Sequence, residues 1–576
     1  MIGARVSRRR EDRLQGVRLE ETRKQALETG RNRLLVTAVV FALAFLVIAG
    51  RLIDLAVWED GPRLARAPVL GPAATERADI IDRNGVILAT SLPTASLFAD
   101  PSFVPDAEEA ADKLVRVLPG LDRSEVLAKL RSKGRFVWLK RNLTPNQQYA
   151  VNRLGVPGLA FQRGERRVYP HGRDAAHVLG FTDVDGRGIA GLESYFDAAL
   201  KSGKEALRLS IDLRIQSVMR QEIMAAMVEF RAKGAAGVVM NVNTGEVLAL
   251  VSLPDFDPNV PATARGEPGF NRATKGIYEM GSTFKLFTMA MALDGGTVTL
   301  EDGYDASKPI RVARFTISDF HPRNRWLSVP EILLYSSNIG AAKMALDVGT
   351  KAQRDYLDRL GLLHPPAIEL PEVGSPLTPA PWRQINTMTI AYGHGIAVSP
   401  LQVSAAVATI VNGGIRRPPT LLYLPDGTHV AGDRALSAET SRQMAGLMRL
   451  VVSRGTGRRA DVPGYRVGGK TGTADKIFGG RYRPDALISS FVGAFPIDRP
   501  RYVVIVLLDE PKGNDSTNGF ATGGWVAAPV VGRIIKRMAP LAGILPETTG
   551  GKPEGHRLAS LVGAPAKARE KRRAAR

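Results

Sequence analysis

The sequence predicts an α+β protein: a single membrane-spanning helix near the N-terminus, a mixed β-rich domain, and a second α+β domain whose sheet is completed by distant parts of the chain. Three observations predict it. One uncharged apolar run is long enough to be a span. Short β-like runs punctuated by turn signals follow it. Beyond Ser210 a hairpin pattern comes early and two apolar strand patterns come late, with helical patterns between them. At 576 residues the chain is also too long for one ordinary core, so two folded domains with extensions are expected.

The span is LLVTAVVFALAFLVIAG, seventeen uncharged residues between Arg33 and Arg51. As a helix at roughly 1.5 Å per residue it reaches about 26 Å, enough to cross a bilayer if the flanking arginines snorkel. A cleaved signal has an apolar core of only about 7 to 15 residues and a small-residue cleavage site, which RLIDLAVW lacks. Residues 1–33 carry ten Arg/Lys against five Asp/Glu, so they form a basic leader on the cytoplasmic side of an anchor over 34–51. Everything after Arg51 is then expected outside the inner face.

From about 52 to 220 the pattern is that of a scaffold. ADIIDRNGVILATSL reads as a strand, an Asn84-Gly85 turn and a second strand, and SEVLAKLRSKG as a short helix stopped by Gly134. The next domain, 221–545, is announced by SIDLRIQSVMRQEIMAAMVEF, where Ile215, Met219, Ile223, Ala226 and Phe230 recur at helical spacing. GAAGVVMNVNTGEVLALVSLP turns at Asn243-Thr244-Gly245 between two β-rich runs, and ISSFVGAFP and RYVVIVLLDEP supply two late strands. The Gly-, Lys- and Arg-rich tail, 546–576, is expected to be disordered.

Composition removes several chemistries. Without cysteine there are no disulfides, thiolate catalysis or cysteine metal sites. The seven histidines include no i, i+4 pair, and neither a metal site nor a cofactor is expected. The formal charge of +21 points away from nucleic acid once it is located, since residues 1–33 hold +5 of it and 551–576 hold +6.

The candidate chemistry begins at YEMGSTFKLF. Ser282 and Lys285 lie at i, i+3 at the start of an apolar run, LFTMAMALDGG, that reads as a buried helix. A buried lysine loses solvation and becomes a base able to activate a hydroxyl. The pair alone is a chance-level signal, and Ser282 as a simple helix cap is its rival. LLYSSNIGAAKMAL adds Ser336 and Asn338, and VGGKTGTAD adds Lys470, Thr471, Gly472 and Thr473 on a possible edge strand. Ser516-Thr517-Asn518 repeats the S-x-N pattern out of order, after the lysine segment. GYRVGGKT matches the phosphate-loop pattern letter for letter. VPGYR, however, is no buried strand, glycines and a proline interrupt the run after Lys470, and the anchor places that lysine away from cytoplasmic ATP. A G-x-S-x-G elbow is absent.

The order S-x-x-K, S-x-N, K-T-G resembles the penicillin-recognising serine acyltransferases. With RADIIDRNG, RRVYPHG, HVLGFTDVDGRGIAGLE, NTGEVLALVSLPDFDPN, YGHGIAVSPLQ and SSFVGAFP, the chain resembles the class B penicillin-binding proteins, and most closely the septal transpeptidase of cell division. The resemblance implies a non-catalytic, dimerisation-type pedestal over 52–220. It also implies a β-lactamase-like transpeptidase domain, an antiparallel sheet flanked by helices, over 221–545. It implies Ser282 as nucleophile, Lys285 as base, Ser336 as proton relay and Asn338 as a hydrogen-bond partner of the donor peptide. Lys470 and Thr471 would bind the donor's terminal carboxylate, with Gly472 and Thr473 completing that strand. The N–H groups of Ser282 and Thr473 would form the oxyanion hole. Stem peptides as substrates, β-lactams as inhibitors, a SEDS-type glycan polymerase and other divisome membrane proteins as partners, and an inner-membrane location with the catalytic domain in the periplasm come with it. A side-wall transpeptidase, a D,D-carboxypeptidase or β-lactamase, and a non-catalytic β-lactam-binding scaffold are the alternatives. The absence of an E-x-x-L-N segment weighs against the β-lactamase and the intact motifs against the scaffold. Two departures stand out: Ala78 replaces a common glycine, and Met280 replaces a common proline before Gly281-Ser282.

Overall fold

The computed structural model describes residues 35–51, 77–547 apart from 204, 313, 314 and 480, and residue 562. The leader 1–33 and nearly all of the tail lie outside the described residues. The chain divides into two compact units, residues 1–74 and 75–576. In the first, residues 35–51 form a helix, α1, with exposed side chains throughout. Among the described residues no helix is long and apolar enough to cross a membrane.

The second unit begins with a sheet built on the expected hairpin. Strands β1 (Ile80–Ile81) and β2 (Ile87–Ala99) pair antiparallel across the Asn84-Gly85 turn. The Asp82 carboxylate closes that turn by accepting from the backbone N–H groups of Asn84 and Val86. Two helices pack beside it, α2 (Ala107–Val117) and α3 (Arg123–Leu130), capped by the side chains of Asp106 and Asp122. Helix α3 ends ahead of Gly134, the expected stop. Val126 and Leu130 are its buried residues, and Arg131, Ser132 and Lys133 have nothing apolar left to bury. Strands β3 (Val137–Leu143) and β4 (Leu159–Val168) flank β2, and β5 (Leu207–Arg208) pairs parallel with β1.

After helix α4 (Leu213–Glu229) come β6 (Gly234–Asn241) and β7 (Val247–Leu253). The helical middle contributes α5 (Lys285–Asp294), α6 (Val329–Leu334), α7 (Asn338–Val348), α8 (Pro400–Val411) and α9 (Ala438–Arg454). Strands β8 (Gly468–Phe478), β9 (Arg481–Phe495) and β10 (Tyr502–Asp509) and helix α10 (Ala528–Leu541) complete it. The five strands form one antiparallel sheet in the order β8-β9-β10-β6-β7, so the last strands of the domain join the first.

Alternation along β10 explains why helices cover both faces. Val503, Ile505 and Leu507 bury toward α5, α8 and α9, while Val504, Val506 and Leu508 bury toward α4 and α10. Ile215, Met219, Ile223, Ala226 and Phe230 all lie in the second core. Each fully buried aliphatic or aromatic side chain contributes roughly 1.5–3 kcal/mol. Together they hold β8, the edge strand, against the start of α5.

Candidate active site

The chain enters the site through Met280, which is buried, and Gly281. Gly281 has φ +50°, and a Cβ there would lie 2.2 Å from the carbonyl oxygen of Thr473, so the position admits only glycine. Gly472 is constrained in the same way, because a Cβ on it would lie 2.5 Å from the Met280 carbonyl oxygen. These two contacts press the segment before Ser282 onto the edge strand. Residues Gly281–Phe284 form a 3-10 turn that runs directly into α5, and the Ser282 side chain caps no helix. Side chains at i and i+3 eclipse in such a turn. Lys285 Nζ accordingly lies 2.9 Å from Ser282 Oγ.

Lys285 is 1% exposed and Lys470 is fully buried. Lys285 Nζ also donates to the Ser336 carbonyl at 2.7 Å and to Asn338 Oδ1 at 2.6 Å, and it lies 3.2 Å from Ser336 Oγ. From the other side Lys470 Nζ donates to Ser336 Oγ at 3.0 Å, and it reaches the carbonyl and hydroxyl of Thr471 at 3.0 and 3.3 Å. Ser336 is thus a hydroxyl bridge between two lysines. Burial holds the Lys285 ammonium far below its usual range, and the charge of Lys470 lowers it further while Asp319 opposes the shift. Burial alone brings Lys470 down to about 7. Both shifts favour the neutral amine over the ammonium.

Ser336 holds its place by an unusual backbone. Helix α6 ends at Tyr335, and Ser336 takes φ +59° where glycine or asparagine is the rule. Such a left-handed serine costs about 1–3 kcal/mol, a strain found where surroundings fix a side chain for use. Ser337 then caps α7, its Oγ accepting from Gly340 N–H at 3.0 Å. Ser337 takes the cap position and Asn338 is the first residue of the helix.

Thr471 and Thr473 lie on β8 opposite Phe491 and Ser489 of β9. The Thr471 hydroxyl is 2.9 Å from that of Thr456, and Thr473 Oγ1 accepts from Gly523 N–H at 3.0 Å. A phosphate loop would need a helix after Lys470, and a strand stands there instead. Ser516 and Asn518 lie in and after a separate 3-10 turn, Asp515–Thr517.

Three participants carried no sequence signal. Thr456 lies in a loop before β8. Ser318 accepts from Asn338 Nδ2 through its carbonyl at 2.9 Å. Asp319 accepts from Asn338 N–H at 2.6 Å, Ile339 N–H at 3.0 Å and Ser337 Oγ at 2.8 Å. Both belong to a loop some twenty residues upstream, outside every motif. Among the described residues no group of three or more His, Asp and Glu side chains is arranged to hold a metal ion.

Two family models match the chain: the Penicillin binding protein transpeptidase domain over residues 235–536 and the Penicillin-binding Protein dimerisation domain over 72–215. The chain is 43% identical over 489 residues to the probable peptidoglycan D,D-transpeptidase FtsI of Caulobacter vibrioides, with 82% of each chain covered. It is 32% identical over 568 residues to the peptidoglycan D,D-transpeptidase FtsI of Escherichia coli K12, covering 91% of this chain and 94% of that one. Among solved structures, the apo TP domain of penicillin-binding protein 3 from Burkholderia pseudomallei is 34% identical at a TM-score of 0.53, covering 59% of this chain and 98% of that one.

Proposed function

The chain belongs to the class B penicillin-binding proteins, with a dimerisation and a transpeptidase domain, and from that premise we propose that it is the peptidoglycan D,D-transpeptidase of the division septum, acting through Ser282. The observation that carries this reading is the continuous polar chain from Ser282 Oγ through Lys285 Nζ and Ser336 Oγ to Lys470 Nζ, with steps of 2.9, 3.2 and 3.0 Å. It offers a nucleophile, a base, a relay and a cation in the order an acyl transfer uses them.

Neutral Lys285 takes the Ser282 proton as Oγ attacks the carbonyl carbon of the penultimate D-alanine. The resulting oxyanion is to be held by the Ser282 and Thr473 N–H groups, where a lost donor typically costs about 100- to 1000-fold in rate. As the C–N bond breaks, the proton passes from Lys285 through Ser336 to the departing D-alanine nitrogen. Lys470 and Thr471 hold the carboxylate of that residue, a charge-assisted pairing. An amino group of a second stem peptide then attacks the Ser282 ester, loses its proton through the same chain, and releases the serine with a new amide bond. Asn338 and the open edge of β8, which among the described residues pairs only with β9, would align the extended donor.

β-Lactams acylate the same serine in this scheme. The apolar segment 34–51 would anchor the enzyme in the inner membrane with its catalytic domain in the periplasm. A SEDS-type glycan polymerase would be its partner there. Full-length protein in detergent should be labelled covalently by fluorescent penicillin at Ser282. Equal labelling of Ser282→Ala would sink the mechanism. Hydrolysis without exchange, given a donor thioester and a D-amino acid, would favour the carboxypeptidase alternative. A fluorescent fusion that stays off the septum during division would remove the septal assignment.

A further inference from the structure

The three motifs supply two buried lysines and no anion. Two charged side chains act on Lys285, Lys470 from β8 and Asp319 from the loop between the short strands Phe315–Ile317 and Trp326–Ser328, and Lys285 in turn acts on His394 from the segment before α8. Burial lowers His394 to about 4, with the charge of Lys285 adding to the effect, so it is neutral at working pH. Among the described residues, Asp319 is then the carboxylate acting on the lysine.

Its grip is specific. One carboxylate oxygen accepts from the backbone N–H groups of both Asn338 and Ile339, and the other accepts from Ser337 Oγ. The adjacent Ser318 carbonyl accepts from Asn338 Nδ2. With its backbone and amide nitrogen both held by this loop, the planar Asn338 amide directs its Oδ1 at Lys285 Nζ, 2.6 Å away. The same dipeptide therefore fixes the amide that touches the base and brings a counter-charge to bear on it.

We propose that Asp319 is a positioning residue for acylation: it holds the backbone of Asn338, whose Oδ1 meets Lys285, and balances the positive charge that Lys285 gains when it takes the Ser282 proton. The role rests on Lys285 being the base of the proposed mechanism. Loss of the carboxylate disfavours the ammonium, so neutral Lys285 prevails from a lower pH while being a weaker proton acceptor. A helix cap alone predicts no such change, since asparagine caps about as well as aspartate.

The test is the second-order rate of fluorescent-penicillin acylation of the full-length protein from pH 5 to 10. Asp319→Asn should move the rising limb to lower pH by about one unit and lower the plateau a few-fold. Asp319→Glu should keep the limb where the native protein has it. If Asp319→Asn does not fold, as read by thermal melting, Asp319→Ser replaces it as the neutral cap. A neutral variant whose limb coincides with that of the native protein overturns the proposal, even if its plateau falls. Absent labelling of the native protein, or unchanged labelling of Ser282→Ala, is a different failure, since it removes the acyl-enzyme itself.

Discussion

In the N-terminal sheet region, Arg77 and Arg167 are almost wholly buried with Glu193, itself fully buried, between them; in the active site, Lys285 and Lys470 are as deeply buried with only the hydroxyl of Ser336 between them. The arginines reach the two oxygens of Glu193 at 2.6 and 2.7 Å. Arg77 reaches Asp197 as well, at 2.8 Å. No carboxylate touches either lysine among their hydrogen bonds. A guanidinium held by carboxylates stays charged and can only hold structure together. An ammonium left without one is driven toward its neutral form and can take a proton. Reactivity here depends on where a carboxylate has been withheld.

The sharpest way to break that contrast is Lys285→Met. Loss of the base should lower acylation by about 100- to 10,000-fold, read by stopped-flow labelling. Melting should stay level or improve, since a desolvated buried amine is replaced by an apolar chain of similar volume. A fall of many degrees would mean the lysine is structural, like the arginines. The reciprocal change, Glu193→Ala, leaves two buried guanidinium groups without their shared partner. It should cost about 3–5 kcal/mol in urea unfolding, while acylation per folded molecule stays at the native rate. Should acylation fall with stability intact, the two regions are coupled and the contrast fails.

A smaller effect tests the sign of the charge argument. The unfolded chain holds the Lys470 proton up to its ordinary pKa near 10.5, and the folded chain holds it only up to about 7. Between those values the unfolded state binds more protons, so this group makes stability rise with pH across the window. Subtracting the melting profile of Lys470→Met from that of the native protein should leave a difference that rises from pH 7 to 9. A flat difference would place the ammonium in a better-solvated setting than its burial implies. The smallest expected change is at Met280, whose φ of −88° is near the range proline imposes. Met280→Pro should therefore alter stability by less than about 1 kcal/mol, with the lost buried side chain offsetting the stiffer backbone, and leave acylation within a few-fold. A large gain in rate would show that the approach to Ser282 limits the native enzyme.

Much of this architecture was readable because it repeats a period or a motif. The alternation in RYVVIVLLDEP and the helical spacing from Ile215 to Phe230 placed the central strand and a covering helix, since both record which side faces a core. Lys470 on an edge strand was legible from glycines around it and from the lack of a helix pattern after it. Ser336 was visible as a letter, but its left-handed backbone was not, because nothing in the serine itself demands that conformation. The surroundings impose it, through the end of α6 and the start of α7. Asp319 was invisible for a related reason. It belongs to a loop without period, and two of its three partners are backbone N–H groups, which every residue but proline has.

The edge of β8 has a consequence for folding as well as for chemistry. A strand with nothing paired along one side also invites the strand of another molecule, the first step of aggregation. The register with β9 shifts between Asp475 and Lys476, and irregularities of this kind increase local twist and spoil a flat template. Just there Lys476 is tied back to Asp509 and Glu510 at 2.8 and 3.0 Å, and a lysine at an edge deters pairing by itself. What stays flat is the short stretch from Lys470 to Thr473, already partly roofed by Gly281. It is long enough for the last residues of a peptide and too short to seed a shared sheet.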